Sequence, residues 1–141
     1  MKRIVFATAQ EAEQAFYGAF QQADLDAMMG VWAEDEEVYC VHPSGPRLSG
    51  IDQVRASWRQ LFANGATLRF QLRHRHCLRV GMLAVHSVYE QITAVGSRQG
   101  PALAIATNVY QNTESGWRMI AHHASPVPGV LADDSPPGVL H

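Results

Sequence analysis

His42 stands directly before Pro43, which restricts the backbone that aims it, where a β-branched and aromatic run (Val38, Tyr39, Cys40, Val41) gives way to a loop. An imidazole titrates at about pH 6.5, so a histidine held rigidly there is suited to general acid/base work. The plainer alternative is a histidine that only hydrogen-bonds the loop. Glu34, Asp35, Glu36 and Glu37 precede the strand and read as a solvated turn, leaving His42 as the principal titratable candidate. Asn108 and Tyr110 alternate onto one strand face with Ala102, Ala104 and Ala106, which places space in front of two hydrogen-bonding side chains. Tyr89 and Asn108 are then the expected donors to a ligand carbonyl oxygen, with His122 as a proton relay. The catalytic set read from the sequence is His42, Tyr89, Asn108 and His122. His74 and His76 share a strand face as i and i+2 residues, and with His42 or His122 could offer nitrogen ligands. No carboxylate joins them, so core or interface histidines are expected and no metal. There is no nucleophile elbow, phosphate-cradling glycine loop or dinucleotide fingerprint, and no cofactor is expected.

The elements that must position these residues follow from period and capping. Thr8 and Glu11 make a capping box, and Ala12, Ala15, Phe16, Ala19, Phe20 and Ala23 form one apolar stripe, leaving Glu13, Gln14 and Gln21 to face water. Asp24 caps a shorter helix carrying Leu25, Met28, Met29 and Trp32. Ser49 with Asp52 makes a second capping signature, and Ile51, Val54, Trp58, Leu61 and Phe62 line a third helix that Asn64 and Gly65 end. From Leu68 to Val80 the period becomes two: Leu68, Phe70, Leu72, His74, His76, Leu78 and Val80 form a dry face, and Arg69, Arg73, Arg75 and Arg79 a stripe on the outer sheet face. Strands over 82–94, 102–111 and 117–125 complete the pattern, the first of these reading as central and covered on both sides, since neither of its alternating sets is clearly polar. On the last strand His122 faces inward and His123 outward.

The order is helix, helix, strand, helix and four antiparallel strands, an α+β chain with three N-terminal helices packed on a curved sheet. Such a sheet leaves a cone-shaped hollow. Its expected wall is Phe16, Phe20, Trp32, Trp58, Phe62 and Leu72, together with Tyr89, Tyr110, Asn108 and His122.

The 141 residues fit one domain, 1–128, followed by a proline-rich tail, 129–141. With 47% hydrophobic and 17% charged residues the chain can form a packed core, and a net charge of -2 offers no field for nucleic acid or anionic lipid. Two cysteines, Cys40 and Cys77, make no disulfide framework and read as free thiols. No run approaches a membrane span, and a cytoplasmic protein is expected. Low charge and mixed apolar faces on the last three strands point to a homodimer through the outer sheet surface.

The chain resembles the SnoaL-like branch of the nuclear transport factor 2-like (NTF2-like) superfamily, which includes ketosteroid isomerases, polyketide cyclases, dehydratases and association domains. The resemblance rests on Ala23-Asp24-Leu25-Asp26-Ala27-Met28 leading to Trp32-Ala33-Glu34-Asp35, on Val41-His42-Pro43, on Gly50-Ile51-Asp52, on Ala106-Thr107-Asn108-Val109-Tyr110, and on the segment 116–125. It implies a mostly antiparallel, cone-shaped α+β barrel. It also implies a general base at His42, where the isomerases carry an aspartate before proline. Phe16 falls where they place the oxyanion tyrosine, and Thr107 or Asn108 where they place a protonated aspartate, so steroid isomerisation is not expected. Three function classes stay open: a cofactor-free acid/base enzyme (isomerase, cyclase or dehydratase type) acting on a small apolar molecule, a non-catalytic binder of such a molecule, and a dimeric association domain.

Overall fold

The structure, a computed structural model, describes residues 3–65 and 67–129. Of the tail, all but Gly129 lies outside the described residues. Helix α1 (Ala9–Gln22) starts as its capping box dictates: Thr8 Oγ1 accepts the Glu11 N–H at 3.1 Å, and the Glu11 carboxylate accepts the Thr8 N–H at 3.1 Å. Asp24 Oδ1 accepts the Ala27 N–H at 3.0 Å and caps α2 (Leu25–Met29). Strands β1 (Tyr39–Val41) and β2 (Arg47–Ser49) follow, then α3 (Ile51–Ala63).

The expected Ser49 cap is corrected here. Ser49 is the last residue of β2, and its N–H donates to Gln53 Oε1 at 3.0 Å. Gly50 is the cap residue, with a φ of 86° that favours glycine, and no side chain caps α3. Val54 and Trp58 are buried on this helix, whereas Leu61 lies exposed at its margin.

The remaining strands are β3 (Leu68–Val80), β4 (Leu83–Ala94), β5 (Ala102–Thr113) and β6 (Gly116–Pro126). They form one six-stranded sheet ordered β2-β1-β6-β5-β4-β3, antiparallel except where β1 runs parallel to β6. The three helices pack on its concave face in an open α+β cone of the NTF2-like type.

Two bulges overturn the strict alternation read from the sequence. In β3 the register slips between Arg73 and His76, with His74 at a φ of 50°. One extra residue reverses the facing of every side chain beyond it. Leu72 lies opposite inward Glu90, but past the bulge it is Cys77 that lies opposite inward His86, and Arg79 opposite inward Ala84. The dry face therefore ends at Leu72. His76, Leu78 and Val80 turn to the convex side, His74 and His76 are exposed, and Arg75 and Arg79 leave the outer stripe for the concave side. In β6 a second slip, opposite Val109 and Tyr110, gives Ile120 as the extra residue between inward Met119 and Ala121, the latter lying opposite outward Val109 and Tyr39. The pattern on β4 is equally decisive: Ala84, His86, Val88 and Glu90 are buried, while Tyr89 stands on the other face with its ring 5.9 Å from His74.

Candidate functional site

The concave face carries polar side chains in one cross-strand row: His86 on β4 is in register with Asn108 on β5, His122 on β6 and Cys40 on β1. All four are buried. Helix α1 lies over this row and brings the buried Tyr17 within reach of Asn108 and Glu90. The resulting hydrogen bonds run in one direction. His122 Nδ1 donates to Asn108 Oδ1 at 2.5 Å, Asn108 Nδ2 donates to the Tyr17 hydroxyl at 2.9 Å, and that hydroxyl donates to Glu90 Oε2 at 2.6 Å.

The protonation of this chain follows from its burial. Loss of water pushes the Glu90 carboxyl from its ordinary 4.5 up to about 7, and the Tyr17 hydrogen bond pulls part of the way back. Burial drives His122 down to about 3, helped by His42 and His123, so its imidazole is neutral at pH 7. Burial raises Tyr17, with the Glu90 charge adding to the rise.

His42 is half-buried at the end of β1. The Ser57 hydroxyl gives its proton to the Val54 carbonyl at 2.8 Å, so its oxygen accepts from His42 Nε2–H at 3.2 Å. Nδ1 of a neutral His42 is then the free base position, and burial keeps this imidazole neutral by lowering it. The ring stands edge-on to Trp58 at 4.7 Å and lies 6.4 Å from the His122 ring.

The structure thus brings His42, Asn108 and His122 together, and excludes Tyr89, which is on the convex face. The tyrosine of the site is Tyr17, one residue beyond Phe16, where the sequence pattern placed only a ring. Its signal lies four residues after Glu13: both side chains are buried on α1, against the expectation that Glu13 faces water. Glu90 and His86 were also missed, because neither face of β4 reads as polar.

The expected hollow is occupied by the side chains that were to wall it. Phe16 packs on Trp58 at 5.6 Å and on His122 at 5.0 Å, and Phe20 packs on Trp58 at 4.9 Å and Phe70 at 4.4 Å. Trp32 and Tyr110 are fully buried. Phe20, Phe62, Phe70 and Leu72 are only half-buried and close the wide end of the cone as an apolar plug. Three hollows lie away from the polar chain. One of about 640 Å³ runs between the N-terminal segment and α1 and α2, and two of about 840 and 380 Å³ share Tyr39 and His123 on the convex face. Among the described residues no three His, Cys, Asp or Glu side chains converge as metal ligands.

A helical layer on this curved sheet, with buried polar groups on its concave face, is matched by the family model of the SnoaL-like domain over residues 10–129. The chain belongs to the SnoaL-like family. Two solved structures extend the comparison of this SnoaL-like domain. A candidate calcium/calmodulin-dependent protein kinase type II association domain from Thiobacillus denitrificans is 41% identical, with a TM-score of 0.82, covering 88% of this chain and 98% of that one. A candidate dehydratase of the NTF2-like family from Streptomyces avermitilis is 34% identical, with a TM-score of 0.76, covering 84% and 92%. The F-box protein SKIP8 of Arabidopsis thaliana is 29% identical over 126 residues, 89% of this chain and 51% of its own length. The SnoaL-like chain therefore spans about half the length of this curated relative. No helix among its described residues is long and apolar enough to cross a membrane.

Proposed function

We propose that this SnoaL-like domain takes up a small apolar molecule bearing a carbonyl or hydroxyl oxygen and moves a proton on it without a cofactor, as an isomerase, cyclase or dehydratase would. The observation that carries the reading is the one-directional chain from His122 through Asn108 and Tyr17 to Glu90, set in aromatic surroundings beside His42. A buried row of this kind costs stability unless every member is satisfied, and it supplies donors where a ligand oxygen would gain charge. In this reading His42 Nδ1 takes the proton from carbon, Tyr17 and Asn108 turn toward the ligand oxygen, and Glu90 receives or returns the proton at the far end. The ligand enters by displacing Phe20 and Phe62 from the half-buried plug. The dehydratase description of the 34% identical structure agrees with this class of chemistry.

The test uses Trp58, whose ring touches His42 and Phe20. Small cyclic and open-chain ketones are titrated while tryptophan emission is followed. Binding of one class is expected, with affinity about tenfold weaker in Tyr17→Phe and any turnover lost in His42→Gln. A panel that leaves the emission unchanged, or turnover that survives His42→Gln with the same pH profile, overturns the reading.

A second reading rests on the convex face. Beyond the β3 bulge, Leu78, Val80 and Leu83 are exposed there beside half-buried Val85 and Tyr89, an apolar stripe unusual for an isolated surface. We infer that a second copy covers it as a homodimer, the alternative in which the domain serves association. The 41% identical association domain and the longer F-box relative are in keeping with this use. Light scattering of the wild type at micromolar concentration is expected to give twice the chain mass, and Leu78→Lys with Val80→Lys to give the single mass. A wild type at the single mass refutes the dimer. Two free cysteines are in keeping with a cytoplasmic setting, which is part of this reading.

A further inference from the structure

The narrow end of the concave face holds titratable groups that the polar chain does not use. The β3 bulge turns Arg75, Cys77 and Arg79 toward α1. Glu13, 2% exposed, accepts from Arg75 Nη2 at 2.7 Å through Oε1, and its Oε2 holds His86 Nδ1. The proton of a neutral His86 is thereby fixed on Nδ1, which leaves a lone pair at Nε2 with no protein partner among the described residues. His86 lines a cavity of about 180 Å³, and so do Cys77, which faces it across the β3–β4 ladder, Arg79, and the first turn of α1. Cys77 is exposed, whereas Cys40 is buried. Nucleophile, base and orienting carboxylate thus meet at one small opening.

We propose that Cys77, His86 and Glu13 form a second site, in which the Cys77 thiol adds to small, negatively charged α,β-unsaturated acids. Thiol reactivity requires an electropositive, accessible setting, and Cys77 has Arg75 and Arg79 two residues to either side on its own face. Arg79 stacks on Trp117 at 4.7 Å, which holds its charge at the cavity wall, and the Glu11 carboxylate is turned back onto the Ala7 and Thr8 N–H groups. Burial pushes the thiol up, Arg75 opposes this and Glu13 adds to it, so the sulfur needs a base to release its proton. His86 Nε2 takes that proton as Sγ bonds to the β-carbon, and the double-bond electrons move onto the carbonyl as an enolate. The α-carbon then recovers the proton from His86. Atoms and charge balance with no oxidant or cofactor. Glu13 acts through His86 and is a positioning residue.

The test compares monomethyl fumarate, an anion, with dimethyl fumarate, its neutral ester, on the full chain, with adducts followed by mass spectrometry and N-acetylcysteine as the reference thiol. The adduct is expected on Cys77 and not on Cys40, with a mono-to-dimethyl rate ratio about tenfold above the reference. Arg79→Gln returns the ratio to the reference value, and His86→Gln slows both esters about tenfold. A wild-type ratio equal to the reference overturns the proposal without any variant, so a His86→Gln protein that fails to fold does not rescue it. A folded His86→Gln protein with unchanged rates also overturns it.

Discussion

Two carboxylates sit under α1, and the molecule treats them differently. At the wide end Glu90 receives one hydrogen bond, from the neutral Tyr17 hydroxyl, and its carboxyl rises to about 7. At the narrow end Glu13 lies between Arg75 and His86. Both are almost completely buried, but their partners differ in charge. A neutral donor lessens the cost of a buried charge only in part, whereas a cation opposes it directly. The wide end is arranged to hold or release a proton near neutral pH, and the narrow end to fix an imidazole in one tautomer.

The strongest way to break this contrast is to remove the paired carboxylate. Glu13→Ala leaves Arg75 and His86 without their acceptor, and loss of one partner from a buried ionic cluster costs about 3–5 kcal/mol. Arg75 is 43% exposed and can recover water, so the lower end of that range is expected in urea denaturation at pH 7. Equal losses for Glu13→Ala and Glu90→Ala would refute the contrast.

The next largest effect depends on pH. Glu90 binds its proton more tightly folded than unfolded, so the unfolded chain deprotonates first as pH rises. Its contribution is fully present below about pH 4.5 and is lost as pH rises through about 7, a change on the order of 3 kcal/mol. The histidines have the opposite sign. His122, held down to about 3, and His42, also lowered, contribute stability present above their ordinary 6.5 and lost as pH falls. Glu90→Gln keeps an acceptor for Tyr17 and removes only the carboxyl branch. The variant is expected to match wild type near pH 4.5 and exceed it near pH 8 in denaturation midpoint. Parallel stability curves across that range would mean that Glu90 is ionised throughout.

Tyr17→Phe is smaller and sharper. It deprives Glu90 of a donor and Asn108 of an acceptor, which costs about 1–3 kcal/mol for groups left unsatisfied in the interior. Because the Tyr17 bond lowers the Glu90 carboxyl, its removal moves that carboxyl further up. Carbon-detected NMR titration of the Glu90 side chain reads this shift. A Glu90 titration unmoved by the substitution would detach Tyr17 from it.

Much of this arrangement was legible in the residues. Thr8 with Glu11, Asp24, and Asn64 with Gly65 set the helix bounds, because capping is local chemistry that neighbours rarely override. Asn108 was legible as an inward residue because β5 keeps a clean alternation through it, and His122 because the β6 slip falls before it; His42 was legible from its place at the end of β1. Glu13 and Tyr17 were hidden, since a charged or phenolic residue on an apolar helix stripe is ordinarily read as its margin, and the partners that bury these two lie 73 residues away on β4. The β3 bulge carries no distinctive residue: His74 adopts a positive φ that a glycine would have announced. That single slip misplaced His76, Leu78, Val80, Arg75 and Arg79 at once. Tyr89 was misplaced for a different reason, since β4 alternates between two apolar-looking sets and gives no polar face to orient it.

The smallest effect separates the two ends by position along α1. Thr8 caps the end of the helix that leads into Glu13, and Thr8→Ala removes the acceptor of the Glu11 N–H, costing about 1 kcal/mol. Fraying from a lost cap is confined to the first turns, because each later turn is held by its own packing. Glu13 is five residues from the cap and Tyr17 nine, with Phe16 fixed on Trp58 and His122 between them and the sheet. Amide hydrogen exchange in Thr8→Ala is therefore expected to quicken over the first turns of α1, and in β4 around His86, which loses a steady Glu13. Exchange at Tyr17, at Asn108 and around Glu90 is expected to hold. Uniform quickening along α1 would mean that the helix opens as one unit, and that the narrow and wide ends are a single cooperative site rather than two.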